Sequence, residues 1–420
     1  MLKKRAQQVL SPVLSRFHEL DIQSGKGCYL YDQANIAYLD FGSGIAVTST
    51  GHCHPKVVAA VQQQVATLIH PSIAVGNTDV VINCAEKILS LFSVGDYSVF
   101  FEQSGAGAVE AALKLAKYVT KRHHVLAFEG GFHGRSMGAL SVTTSKKAYR
   151  DHVGPMLEGV SFFPFPNTYR SLNEDVTDIS VAAYIDTLKH SKAIHSGLAA
   201  VIIEPILGEG GYVSAPIEFL QCVAELCKQH NVLLIVDEVQ SGIGRTGTWF
   251  QFQKANIVPD IVTLAKGLGS GMPIAACVAK TEFMNLWDKG SHGGTYGANP
   301  VTCVAASATI DVIAKQLSSI SDLADYAELV LESLRSHIYI GDIRVEGLMI
   351  GIECVKDKQT KEPYPDMVAD ILKKCLENHL IVLSCGIHSN VIRLAPPLII
   401  SQKELKYGLM ILIKVIHDYH

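Results

Sequence analysis

No apolar stretch among the 420 residues approaches the roughly 18 needed to cross a membrane. The basic start, Met1-Leu2-Lys3-Lys4-Arg5, is not followed by the apolar core of a secretory signal. Glu19 is the first acidic residue, so an amphipathic transit segment remains the alternative to a cytoplasmic protein. No Cys-x-x-Cys occurs among the 10 cysteines, and their scatter fits reduced thiols. Cys222 and Cys227 fall on one helix-like stretch and read as core. His52-Cys53-His54 cannot converge three neighbouring side chains on one ion, and no partner pair stands at zinc spacing, so no metal is expected. The chain lacks a charge excess: 36 basic residues face 40 acidic ones, which gives nucleic acid no electrostatic footprint. The glycine-rich Ser104-Gly105-Ala106-Gly107-Ala108 is neither a Walker loop nor a Gly-x-Gly-x-x-Gly, which argues against a nucleotide there. Internal repeats and low-complexity linkers are absent as well.

Buried-strand signals are plentiful. Hydrophobic residues make up 48%, enough for a large core, and the length suits two or three domains. Leu198 to Ile203 runs into Glu204-Pro205, and Val232 to Val236 runs into Asp237-Glu238. Asp260 to Ala265 runs into Lys266 and then Gly267-Leu268-Gly269-Ser270-Gly271. Short apolar runs ending in turn residues read as buried parallel strands, and open α/β sheets bind ligands at the carboxyl ends of their strands. An amine and a carboxylate delivered to one sheet edge point to covalent amine chemistry on an electron-sink cofactor, pyridoxal 5'-phosphate. Lys266 would hold that cofactor as a Schiff base and then move the substrate proton, with Asp237 keeping the pyridine nitrogen protonated. Alone, Lys266 is a lysine in a glycine turn and Asp237 a strand-end cap.

Two further stretches fit such a site. Ser104-Gly105-Ala106-Gly107-Ala108 opens a helix whose first N–H groups make a phosphate seat; otherwise it is an ordinary N-cap. Gly130-Gly131-Phe132-His133-Gly134-Arg135 follows a strand-like His124 to Phe128, offering a ring to stack and a guanidinium to fork a carboxylate. Gly134-Arg135-Ser136-Met137-Gly138 imitates a nucleophile elbow, but Ser136 stands too far past the strand for a serine hydrolase.

Residues 1 to about 20 read as a helical arm, followed by a hairpin of Tyr29-Leu30-Tyr31 against Ala37-Tyr38-Leu39, turning at Gln33-Ala34-Asn35. Helices alternate with short strands from about 55 to 310. Helices are expected over Cys303 to Leu317 and Gln402 to His417. The expected division is 1–50 and 311–420 as two parts of a small α+β domain, with 51–310 as the large cofactor-binding domain.

At these residues the chain resembles the class III pyridoxal-phosphate aminotransferases, and within them the 4-aminobutyrate branch. The resemblance covers roughly 25 to 400. It is carried by Leu39-Asp40-Phe41 with Gly44-Ile45-Ala46-Val47, Gly51-His52-Cys53-His54-Pro55, the Ser104 helix start and Gly131-Phe132-His133-Gly134-Arg135. Further on it is carried by Ile203-Glu204-Pro205 with Gly208-Glu209-Gly210-Gly211, Val236-Asp237-Glu238-Val239-Gln240-Ser241-Gly242 and Gly244-Arg245-Thr246-Gly247. Ala265-Lys266-Gly267, Gly293-Gly294-Thr295-Tyr296 with Asn299-Pro300, and Arg393-Leu394 complete the series.

The resemblance implies a fold-type I enzyme: a large domain with a mostly parallel seven-stranded sheet wrapped by helices, and a smaller α+β domain from both termini. It implies Lys266 as the Schiff-base lysine, Asp237 at the pyridine nitrogen and Gln240 near the phenolic oxygen. Phe132 and its neighbour His133 lie against the ring, and Gly105 and Ala106 lie at the phosphate. Thr295 reaches the phosphate of the neighbouring subunit, hence a homodimer with shared sites, or a tetramer built from it. The family usually has an acid where this chain has Gly107, and often Asn or Thr where it has Gln103, a departure that bears on the rigidity of the phosphate turn.

The resemblance also assigns the substrate ends. Arg135 takes the distal carboxylate, Ile45 lines that end, and Glu209 covers Arg393 when no second carboxylate is present. This trio suits 4-aminobutyrate exchanged with 2-oxoglutarate in ping-pong fashion, giving succinate semialdehyde and glutamate. Acetylornithine, ornithine or diaminobutyrate as donor, and an aminomutase needing no 2-oxoglutarate, are the alternatives in the same frame. Gly154-Pro155, Phe163-Pro164-Phe165-Pro166-Asn167 and Tyr169-Arg170 favour the 4-aminobutyrate branch.

Overall fold

The computed structural model describes residues 2–170, 179–195 and 197–419. Its centre is a seven-stranded sheet in the order Tyr97–Glu102, Ala275–Lys280, Ile261–Leu264, Leu233–Asp237, Ala200–Ile203, Val125–Phe128, Val160–Phe163. Ala275–Lys280 runs antiparallel to both neighbours, and the remaining pairs are parallel. The apolar runs form strands because both faces are covered. Leu234, Val236, Val262 and Leu264 join one core cluster. Leu233, Ile235 and Ile261 join the cluster on the opposite face. Each fully buried aliphatic side chain of this kind contributes about 1.5–3 kcal/mol.

A second sheet, Ile340–Glu346, Met349–Cys354, Val391–Leu394 and Leu383–Cys385, is wholly antiparallel. Its core cluster includes Leu323, Ile371 and Leu409 from the helices Leu317–Leu331, Pro365–Glu377 and Gln402–His417. The N-terminal hairpin joins this half. Tyr29, Leu30 and Tyr31 pair with Leu39, Tyr38 and Ala37, and Ala37–Asp40 then pairs in parallel with Leu380–Ile381. Asn35 completes the turn at φ 62°, a conformation asparagine tolerates better than most residues.

Two helix expectations need correction. The arm is helical only over Leu2–Val9, since Pro12 follows closely and the segment buries no side chain. The expected Cys303 to Leu317 helix runs over Pro300–Ile313 instead. Asn299 accepts from the amides of Val301 and Thr302 and fixes its start, and a separate helix begins at Leu317. The last helix occupies Gln402–His417 as expected, closed at its start by a reciprocal Ser401–Glu404 capping box.

Candidate active site

Strand register brings the acidic residues together. Val236 faces Ile203 and Asp237 faces Thr263, so Glu204, Asp237 and the segment after Leu264 emerge at one sheet edge. They border a cavity of about 380 Å³, whose lining includes Gly105, Ala106, Phe132, His133, Arg135, Asp237, Gln240 and Lys266. Eight residues expected at the site from the sequence therefore share one space. Lys266 follows Ala265 in a left-handed conformation, φ 43°, a local strain of the kind found at functional sites. Burial, then the Arg393 charge, hold its amine down to about 8.

The Asp237 carboxylate is fully engaged on its protein side. Oδ1 accepts from Thr263 Oγ1 at 2.9 Å and from the Val239 amide at 3.1 Å. Oδ2 lies 2.7 Å from His133 Nδ1. Burial pulls the His133 imidazole down, but the hydrogen bond and charge of Asp237, with Glu204 beyond it, outweigh burial and leave it above its ordinary value.

The helix Gly105–Thr120 presents its N-terminus to the same space. Ser104 Oγ accepts from the Gly107 amide at 3.1 Å, which leaves the amides of Gly105 and Ala106 for an anion. Packing dictates the glycine at 134, and at 107 an added side chain would press on a neighbouring acid. A Cβ at Gly134, at φ 133°, would meet the Ala106 Cβ at 2.6 Å. A Cβ at Gly107 would meet Glu102 Oε2 at 2.9 Å. The unusual glycine thus makes room for an acid from the neighbouring strand.

Arg393, Glu209, Ile45 and Thr295, the other expected residues, line no part of this cavity. Arg393 is buried at 1% exposure and donates from Nη1 to Glu209 Oε2 at 3.2 Å. Its Nε and Nη2 have no partner among the described residues, so two donors stand ready for a carboxylate. Arg135 is exposed and rests over the Tyr149 ring at 4.2 Å. Ile45 is 41% exposed. It belongs to a turn in which Ser43, Gly44, Ile45 and Ala46 all have positive φ, a rare arrangement for a β-branched residue. Thr295 is exposed and lines a separate, mostly apolar groove of about 730 Å³ with Ile73, Ile82 and Phe101.

Sequence reasoning did not place Glu204, Tyr212, Lys146 or Tyr149 in the site. Glu204 borders the cavity and accepts from the amides of Phe132 at 2.7 Å and Gly208 at 3.0 Å; burial pushes it up to about 7. Tyr212 donates to Gln240 Oε1 at 2.9 Å and fixes that amide. The strand-end position of Glu204 was the available signal; its partners are backbone amides that no spacing announces. Ser136 donates to Glu110 Oε1 at 2.6 Å and precedes the short helix Met137–Ser141 rather than ending a strand. His52 lies 2.8 Å from Asp40 Oδ2, a structural contact.

The family model "Aminotransferase class-III" matches residues 11–416. A probable 4-aminobutyrate aminotransferase of Bacillus subtilis is 36% identical, over 98% of this chain and 95% of the relative. A 5-aminovalerate aminotransferase of Pseudomonas aeruginosa is 37% identical over 98% and 96%. An acetylornithine aminotransferase of Corynebacterium efficiens is 39% identical over 95% and 93%. The solved structure of a Bacillus anthracis aminotransferase superposes with a TM-score of 0.91 at 29% identity, covering 99% of this chain and 98% of that one.

Proposed function

The chain belongs to the class III aminotransferases, and from that premise we propose that it exchanges an ω-amino acid, 4-aminobutyrate first among them, with 2-oxoglutarate. The observation that carries this reading is Glu209 seated on Arg393 at 3.2 Å while two other Arg393 donors stay unpartnered. A donor with one carboxylate leaves Arg393 without a substrate partner. Removing one member of a buried ion pair costs about 3–5 kcal/mol. Glu209 supplies the missing charge, and a dicarboxylate displaces it. Arg135 then takes the carboxylate common to both substrates, with Ile45 along that end.

The lining fits pyridoxal phosphate, the cofactor that this family implies. Gly105 and Ala106 amides suit its phosphate, Phe132 its ring, Asp237 its nitrogen, Gln240 its phenolic oxygen and Lys266 its aldehyde. When bound, that group supplies an electron-poor ring able to absorb the charge left by a lost proton. Asp237, held by Thr263, Val239 and His133, stays an acceptor toward a protonated ring nitrogen. Lys266, held near 8, has the basicity to take and return a substrate proton close to neutral pH.

Thr295, off the cavity of its own chain, fits a homodimer in which it reaches the partner's phosphate seat. The groove that Thr295 lines carries exposed Ile73 and Ile82, and the adjacent Tyr296 is exposed as well. The proposed division of the chain stays at 1–50 with 311–420 around 51–310. No described helix is long and apolar enough to cross a membrane, and a cytoplasmic location is proposed.

The 39% identical acetylornithine relative supports a second reading, an acetylornithine or ornithine donor. Side-by-side kcat/KM values for 4-aminobutyrate, 5-aminovalerate, ornithine and N-acetylornithine with 2-oxoglutarate as acceptor decide. A preference for 4-aminobutyrate of tenfold or more, about 1.4 kcal/mol, is expected. A preference for N-acetylornithine overturns the first reading.

A further inference from the structure

Glu209 does not face Arg393 alone. Its Oε2 accepts from Arg393, while its Oε1 accepts from the Tyr149 hydroxyl at 3.3 Å and lies 3.8 Å from Lys146 Nζ. Lys146 and Tyr149 lie at the two ends of a short 3-10 turn, Lys147–Tyr149 with Lys146 before it, in the loop that follows the helix Met137–Ser141. Glu209 thus hangs between two cationic positions, a closer one on the buried Arg393 and a looser one on this loop.

We propose that Lys146 and Tyr149 form the second berth of Glu209, the place its carboxylate takes when a dicarboxylate claims Arg393. The proposal rests on the switch reading of Glu209 given above. A carboxylate leaving a buried arginine must be received by something, or the departure carries the full cost of an unpaired charge in a half-buried place. Lys146 supplies the charge. It is held toward Glu209 by donating to Ser389 Oγ at 3.0 Å, on the loop between the strands Leu383–Cys385 and Val391–Leu394. The same loop donates the Gly386 amide to the Glu209 carbonyl at 2.8 Å, so the Glu209 backbone is anchored while its side chain is free to turn. Burial and then the Glu209 charge raise the Tyr149 hydroxyl above its ordinary value, so it remains a donor. Tyr149 also carries Arg135 on its ring, tying the berth to the arginine at the other end of the substrate. Lys146 and Tyr149 are positioning residues: they act through Glu209 and set how readily the pocket accepts a second carboxylate.

Calorimetric titration of the holoenzyme with glutarate and with butyrate separates the two carboxylate demands without turnover. Lys146→Met is expected to weaken glutarate about fivefold, the scale of a partly exposed ion pair, and to weaken butyrate less. Lys146→Arg, which keeps the charge, restores the glutarate value. Tyr149→Phe, which removes only a hydroxyl, shifts the glutarate-to-butyrate ratio in the same direction by a smaller factor. Equal shifts for both ligands, or no shift in glutarate, overturn the proposal. Glu209→Ala keeps it distinct from its premise. If that variant moves both ligands by one factor, the switch reading itself fails. If it separates them while Lys146→Met does not, the switch stands and the second berth is wrong.

Discussion

Thr263 Oγ1 donates to Asp237 Oδ1 at 2.9 Å across two parallel strands in which the residues are directly in register. The contact links the fold's register to the site's chemistry, because a slip of one residue would point Thr263 away from the acid. Thr263→Val keeps the β-branched shape and removes only the hydroxyl. It leaves one Asp237 oxygen short of a donor, at a cost of about 1–3 kcal/mol. The expected result is a roughly tenfold fall in kcat for transamination. Parallel kinetics and circular dichroism check it; full activity in the variant would show that the Asp237 contacts to His133 and Val239 suffice.

The second prediction concerns pH. Lys266 falls from 10.5 in the unfolded chain to about 8 in the folded one, chiefly through burial. The folded state of the cofactor-free protein therefore binds fewer protons than the unfolded state between pH 8 and 10.5, and its stability rises across that window. Lys266→Met removes the group. At pH 7 the cofactor-free variant should be more stable than the cofactor-free parent, by an amount on the order of 3 kcal/mol. The gap should close as pH rises from 8 toward 10.5. Urea melts of both proteins across that range test the sign, and a gap that widens with pH contradicts it.

How much of this was legible in the sequence depends on the range of each interaction. The three apolar runs ending in Glu204, Asp237 and Lys266 became adjacent strand ends because short buried runs have few other ways to pack. The hairpin at Tyr29 and Ala37 and the last helix were equally plain, since turn and cap residues act locally. Lys146 and Tyr149 were invisible. They lie 63 and 60 residues from Glu209 on a loop without periodicity, and only the folded chain brings them together. The turn at Ser43–Ala46 could not be anticipated either, because Ile45 at φ 69° runs against its own preference and is imposed from outside.

Gly107 marks a case where the departure from the family pattern finds its reason in a neighbour. Replacing a helical glycine by alanine normally stabilises by up to about 1 kcal/mol. Here the added Cβ would approach Glu102 Oε2 at 2.9 Å. Gly107→Ala alone should bring no gain, whereas the same change in a Glu102→Ala background should. Denaturant melts of the parent, two single variants and the double variant measure the coupling, expected at 0.5 kcal/mol or more in an estimate of roughly that size for contacting residues. Strict additivity would mean that the Glu102 side chain moves aside freely.

The last prediction tests whether sites are shared between subunits. Thr295 lies away from the cavity that holds Lys266 in its own chain. If it serves the partner's cavity, Lys266→Ala and Thr295→Val damage opposite sides of the same site. In a mixed dimer one site then receives both lesions and the other receives neither. Two weakly active homodimers, unfolded and refolded together at limiting pyridoxal phosphate, should regain about a quarter of parental activity, since half the dimers are hybrids with one intact site. If Thr295 serves its own chain, every site in the mixture keeps a lesion and no recovery follows. The Lys266→Ala parent supplies the baseline, because its residual rate bounds what an incomplete site can do. Recovery that grows with the hybrid fraction ties Thr295 to the partner's phosphate seat, and a flat response confines each site to one chain.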